Sequence, residues 1–373
     1  MSATLKKVMD WMEAWAPLYL AEDWDRSGLA VGDPSQEIKK VLVALDVTED
    51  VIQEAIATEA DLILTHHPML LFRKIESIRR DTALGSRIFD LVEHHIAAYA
   101  AHTNLDIAKG GTNDVLAALG ELEDVRILKA TETETLKKIV VYVPMTHVAA
   151  VRQAMTNAGA GHIGAYSHCA FYTEGIGSFL PEAGTHPYLG TEGKLEETAE
   201  ARVESIAPEK RVPQILEAVR KVHPYEEMAY DIHPVEQKGK TEGIGRIGRL
   251  KQPMAFRDYA KLLKEKMDLD VIRLVGDGEK MIQTVALCTG AGSEYLETAK
   301  KQGADLYLTA DLKFHEAQQA VVMDLCVADL THYASEVLVV PVMADYLRQK
   351  AAEEGIALEV AEAQSNGQTF WHI

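Results

Sequence analysis

Three short segments carry the side chains best suited to chemistry. DLILTHHP, residues 61–68, sets His66 and His67 at the end of an apolar run. AHTNLD, residues 101–106, ends a second such run with His102 and Asp106. DLTHYASE, residues 329–336, places His332 and Glu336 four positions apart. Imidazole and carboxylate together suit a borderline divalent ion such as zinc or manganese. A lone His-His pair at a strand end is as readily a structural cap, so the weight lies in the combination. On a helix, positions i and i+4 share a face, so His332 and Glu336 can point into one cavity. Because these residues come from both ends of the chain, such a site closes only when the whole chain folds. His102 is a candidate proton carrier or supporting residue, the alternative being a buried, hydrogen-bonded His. Asp46 ends its own strand at the same edge and could orient a ligand. His315 could reach the site, or could be a solvated helix residue.

The elements that must position these residues carry a degenerate repeat. Val43-Ala44-Leu45-Asp46 and Val285-Ala286-Leu287-Cys288 each end a strand-like run. Each is followed by a helix-like stretch, 48–58 and 293–302, and then by a second strand, ADLILT at 60–65 or ADLYLT at 304–309. Strand, helix, strand at this length predicts a βαβ unit in each half. In open α/β sheets ligands sit beyond the carboxyl ends of strands, where His66, His67 and Asp106 are expected. In the second half, Asp311 is the expected N-cap of a following helix.

Between the halves, a strand at 137–144, a helix over 146–158, Gly-rich segments through Gly193 reading as strands and a hairpin, a helix entered at Val212-Pro213, and a final strand near 225–232 give a βαββαβ order. That order is the ferredoxin-like split motif. The polar flanks 130–133 and 236–240 read as linkers around an insertion. The predicted organisation is therefore α/β, with 1–131 and 238–373 forming one discontinuous domain and 132–237 an inserted α+β domain.

Composition narrows the function classes. The chain has 373 residues, 47% hydrophobic and 25% charged, ordinary values for a protein of two or three domains. A formal net charge of -19 repels phosphate backbones, which argues against general nucleic-acid binding. No apolar run reaches the roughly 18 residues a membrane helix needs. The N-terminus lacks the pattern of a secretory signal, and Cys169, Cys288 and Cys326 form no close pair, so a reduced cytoplasmic setting is expected. Gly243 to Gly248 spells GxGxxG, but it follows a charged stretch rather than a strand and leads to Pro253, so close strand approach is the expected role. His223-Pro224-Tyr225-Glu226-Glu227 reads as a turn plus an edge strand, or as a small binding motif. The acidic stretch 192–204 is expected to be solvated surface, and Trp11, Trp15, Trp24 and Trp371 to be packing residues.

The ordered set Thr65-His66-His67-Pro68, His102 to Asp106, Gly243 to Gly248, Thr309 to His315 and His332 to Glu336 resembles the NIF3-like family, whose members carry the name GTP cyclohydrolase 1 type 2 homologue. The resemblance covers about 1–130 and 240–373, and the central block is similar to the PII/CutA-like insert of the longer bacterial members. It implies a toroidal homohexamer and two divalent ions per chain, zinc first, with manganese or iron as alternatives. The ligands it implies are His66, His67, Asp106, His332 and Glu336, with Glu336 as bridge. A bridging carboxylate makes physical sense, since two ions roughly 3.5–4 Å apart repel each other. The stretch Trp24 to Leu29 has Arg26 and Ser27 where the family often has Asn. The expected activity is metal-dependent hydrolysis of a nucleotide or related small molecule, with His102 or Glu336 handling protons. The alternative is a non-catalytic metal carrier or a regulator whose insert senses a ligand or partner.

Overall fold

The computed structural model describes residues 3–69, 77–365 and 367–370; the expectation for Trp371 lies outside them. The fold is mixed α/β with several sheets, and the chain divides into two compact units, Met1–Thr131 with Glu242–Ile373, and Glu132–Thr241.

The first unit holds two sheets built on similar lines. One runs, in order, Glu359–Glu362, Lys40–Ala44, Leu62–Thr65, Ala97–Ala100 and Gly28–Val31. Its first four strands are parallel and the last is antiparallel. The LILT and AAYA strands are buried at every position, the continuous apolar run of a parallel sheet covered on both faces. The other sheet sets Met281–Leu287, Leu306–Thr309 and Cys326–Asp329 parallel. Arg273–Val275 lies antiparallel on the third of these, and residues 246–255 lie antiparallel on the first. In both sheets an antiparallel strand borders the third of three parallel strands and precedes them in sequence. The helix Glu49–Ala57 joins two parallel strands; the Thr48 hydroxyl caps it, and Glu49 and Asp50 meet its N-terminal dipole. The core between the elements includes Leu5, Met12, Ile38, Leu64, Tyr307 and Met343, all fully buried.

The GxGxxG run lies inside the strand Tyr230–Ala255. Gly245 has φ +67°, and a Cβ there would stand 2.7 Å from the Leu287 carbonyl oxygen, so a larger residue would force the strands apart. Between the glycines, buried Arg246 donates to both carboxylate oxygens of Asp114, at 2.6 and 3.0 Å, and to the carbonyls of Gly243 and Gly245.

In the second unit, residues 136–144 pair antiparallel with 200–208, and Phe171–Phe179 pairs antiparallel with 196–204. Helices Val148–Asn157 and Val212–Arg220 close its core around Ile139, Val141, Val151, Met155, Val203 and Ile215. Two expectations need correction. The polar flanks of this unit are strand, within Glu123–Pro144 and Tyr230–Ala255, because these two strands are hydrogen-bonded neighbours in one sheet, and ladder pairing holds even polar residues extended. The acidic stretch 192–204 is surface as expected, with none of its glutamates buried, and from Glu196 it runs as the strand Glu196–Pro208, where Ala201 and Val203 turn inward. Within the Gly-rich segment a single strand forms, Phe171–Phe179, and the following residues up to Glu196 make a long loop.

Candidate metal centre

The site lies at the carboxyl ends of the parallel strands of the first unit. Leu62–Thr65 delivers His66 and His67, and Ala97–Ala100 delivers His102 and the short helix Thr103–Ile107 that carries Asp106. Cys326–Asp329 leads to the helix His332–Glu336, one turn that turns both residues inward. Thr331, just before it, has φ +67° and ψ 149°, a conformation costly for a β-branched residue.

Four imidazoles are held in the same way. His66 donates through Nδ1 to the Ala101 carbonyl at 2.8 Å. His67, His102 and His332 place Nδ1 2.8 Å from carboxylate oxygens of Asp46, Asp25 and Asp311 respectively. Each ring is thus oriented by its Nδ1 and leaves Nε2 for a second partner, the arrangement that metal-ligating histidines use. Ligand atoms of His66, His67 and His102 lie within 4.8 Å of one another, as do those of His67, His332 and Glu336, so the two groups share His67.

Glu336 is buried at the centre. Its Oε2 lies 2.9 Å from His67 Nε2 and 3.0 Å from His332 Nε2, and its Oε1 lies 3.9 Å from His66 Nε2. Despite those distances, neither Oε2 nor His66 Nε2 has an aligned hydrogen-bond partner. Buried polar atoms are normally satisfied, and an imidazole nitrogen beside a carboxylate oxygen, neither with an aligned partner, is a pair that a cation could satisfy. This donor set fits a divalent ion. Asp106 sits 3.6 Å from His66 Nε2, and the Thr112 hydroxyl donates to the same oxygen, Oδ1.

The electrostatics agree with the geometry. Burial disfavours charge on His67, but Asp46 and Glu336 outweigh it and raise its pKa to about 10. Burial likewise opposes charging of His332, and Glu336 and Asp311 raise it to about 9. His66, fully buried, is also raised, by Asp106 and Glu336 against desolvation. Burial favours the neutral acid of Glu336, yet the three imidazoles hold it well below the usual carboxylate range. A field that draws protons onto these nitrogens also draws a divalent cation. Cys288 is close by, but burial, with Asp106 and Glu336, pushes its thiol up and keeps it protonated.

Several supporting residues were not read from the sequence as such. Asp25 is buried and accepts from His102, from the Thr103 backbone at 3.1 Å and from the Ser27 hydroxyl at 2.7 Å, which gives the Trp24 to Leu29 loop its role. Asp311 is not an N-cap; Lys313 holds that position, and Asp311, at φ +53°, orients His332. Gly290 has φ +63°, and a Cβ there would collide with Glu336 Oε1. Trp24 is half exposed, with its ring edge-on to His102 at 5.8 Å, rather than a core residue like Trp11. His315 is exposed and bonded to Gln318, outside the cluster. A cavity of about 570 Å³ opens beside the cluster, lined by Asp46, His67, Arg273, Asp311, His332 and Tyr333 among others.

Fold and site together define a mixed α/β protein with a His/Glu cluster able to bind a metal. The chain belongs to the Duf34/NIF3 (NGG1p interacting factor 3) family, whose model matches residues 3–367. It is 44% identical over 368 residues to a Bacillus subtilis (strain 168) protein named GTP cyclohydrolase 1 type 2 homolog, covering 98% of each chain. Among solved structures, a Bacillus cereus protein related to NIF3 matches with TM-score 0.91 and 37% identity over 100% of both chains. Staphylococcus aureus protein SA1388 matches with TM-score 0.82 and 27% identity over 100% of this chain and 99% of that one. Among the described residues no helix is long and apolar enough to cross a membrane.

Proposed function

We propose that this chain is a metal-dependent hydrolase with a dinuclear divalent-metal centre, acting on a nucleotide or related small molecule. The carrying observation is the set of three histidines, His66, His67 and His332, each anchored through Nδ1, around the buried carboxylate of Glu336, with His102 anchored the same way beside His66 and His67. His66, His67, Asp106, His332 and Glu336 would hold two ions, zinc first and manganese or iron as alternatives, with Glu336 between them. Two ions so held would supply Lewis-acid polarisation of a substrate atom and acidification of water. The chain's own groups do the rest. Asp46, Asp25 and Asp311 keep the imidazoles in one tautomer. His102, anchored on Asp25 and edged by Trp24, carries protons at Nε2. The name of the B. subtilis relative makes the purine ring of GTP the first substrate to try.

A carrier or storage site tends to be closed, whereas a catalytic site keeps an open position. The 38% exposure of the His332 side chain and its place on the 570 Å³ cavity favour the catalytic reading over a carrier or regulator. The finer architecture belongs to the same proposal. The matching strand arrangements of the two sheets support two related halves, and the βαββαβ order of the second unit supports a ferredoxin-like, PII/CutA-like insertion. Assembly as a homohexamer and a cytoplasmic setting complete it; the acidic net charge speaks against direct nucleic-acid binding.

The test is a hydrolysis screen of nucleoside triphosphates and cyclic nucleotides with metal-loaded protein, chelated protein and His102→Ala. Turnover that requires metal, and that falls about 100-fold or more in His102→Ala while metal content holds, is expected. Turnover indifferent to both changes would remove the proposal.

A further inference from the structure

The second unit carries a cleft that the metal centre does not use. Its volume is about 440 Å³, within the range of small-molecule sites. Tyr142, Phe179, Tyr188 and Tyr225 line it. The Phe179 and Tyr225 rings lie 6.0 Å apart at 52°, and Tyr188 and Tyr225 lie 6.3 Å apart at 50°, so the rings are tilted against one another rather than stacked flat. Tyr225 belongs to the HPYEE motif. Its hydroxyl donates to Glu200 at 2.7 Å and its ring packs edge-on against His223. Glu182, Glu226 and Glu227 line the cleft with Glu200, and none of its described lining residues is Lys or Arg.

The loop between Phe179 and Glu196 forms one wall. A plain hairpin needs roughly 2–5 residues to turn, and loops beyond about 12–15 without secondary structure are usually functional. This one is organised: the Gly193 backbone donates to the Pro181 carbonyl at 2.8 Å, and the His186 backbone donates to Glu226 at 2.8 Å. It nonetheless leaves Leu180 51% and Tyr188 49% exposed at the rim, apolar surface that a ligand would cover.

We infer that this cleft is a binding site for a small organic cation of the quaternary or primary ammonium class. Aromatic faces carry negative quadrupoles that attract such cations, and a wall of carboxylates without a competing Lys or Arg adds the long-range field. An anionic ligand such as a nucleotide would meet the repulsion of the lining carboxylates. The inference stands apart from the metal centre and does not depend on it.

The test uses the full chain, choline as probe, and 3,3-dimethyl-1-butanol as its uncharged isostere, titrated by calorimetry or ligand-observed NMR. Choline is expected to bind at least about tenfold more tightly than the isostere. Tyr188→Leu keeps the apolar wall and removes the π-face, so it should weaken choline about tenfold and leave the isostere unchanged. Glu200→Gln, which still accepts the Tyr225 hydroxyl, should weaken choline alone. Equal affinity for the charged and uncharged probes, choline binding indifferent to both variants, or no choline binding would each overturn the inference.

Discussion

Gly290 shows how narrowly the centre is built at the scale of single residues. Its left-handed φ suits glycine, and the space where a Cβ would stand is filled by the Glu336 carboxylate. Gly290→Ala should destabilise the protein by about 1–3 kcal/mol and weaken metal binding, read by chemical denaturation and metal titration. The histidines lead to a pH prediction. In chelated protein His67 and His332 have pKa values near 10 and 9, above the unperturbed 6.5. Groups raised in the folded state stabilise it fully below the unfolded value and lose that effect as pH rises through the folded value. Stability of the chelated protein should therefore decline between about pH 6.5 and 10. Metal must displace these protons, so its affinity should rise with pH over the same window. Calorimetry at pH 8 in buffers of different ionisation heat should detect proton release on metal binding, and buffer-independent heats would contradict it.

At the scale of elements, the strand ends set the site and the connections tune it. Thr331 pays its backbone strain to start the one-turn helix that aims His332 and Glu336. Thr331→Gly should relieve strain of about 1–3 kcal/mol while adding roughly 0.5–1 kcal/mol of chain entropy cost. The expected outcome is a chelated protein more stable by about 1 kcal/mol with weaker metal binding, measured on the same preparation. A loss of stability would mean that Thr331 is not strained. The same scale explains what was legible in the sequence. Parallel strands read clearly as apolar runs, and histidines immediately after them must fall at the carboxyl edge, so the positions of His66, His67 and His102 follow from local pattern. Asp25 and Asp311 do not, because each is an acidic residue in a loop whose partner lies 77 or 21 positions away. Local capping logic drew Asp311 to the wrong role. Trp24 misled for a similar reason, since size alone argues for packing and only the fold sets it edge-on to His102.

At the scale of the whole molecule, both ends of the chain build one centre, with His66 and His67 from the front and His332 and Glu336 from the back. The ADL segments made the parallel strands Leu62–Thr65 and Leu306–Thr309 legible, but the separation of more than 260 residues between the front and back members of the cluster hid their distances. The second unit was less legible, because its polar strands and long loop carry weaker periodicity than a buried parallel sheet. Folding and metal binding should be coupled across the first unit, as ligands from both segments must be in place together. The most direct measurement is metal content per chain by elemental analysis, on protein purified without chelator or affinity tag, beside Glu336→Gln. About two divalent ions per chain are expected in the native protein, falling in the variant. One ion or none, unchanged by Glu336→Gln, would contradict it.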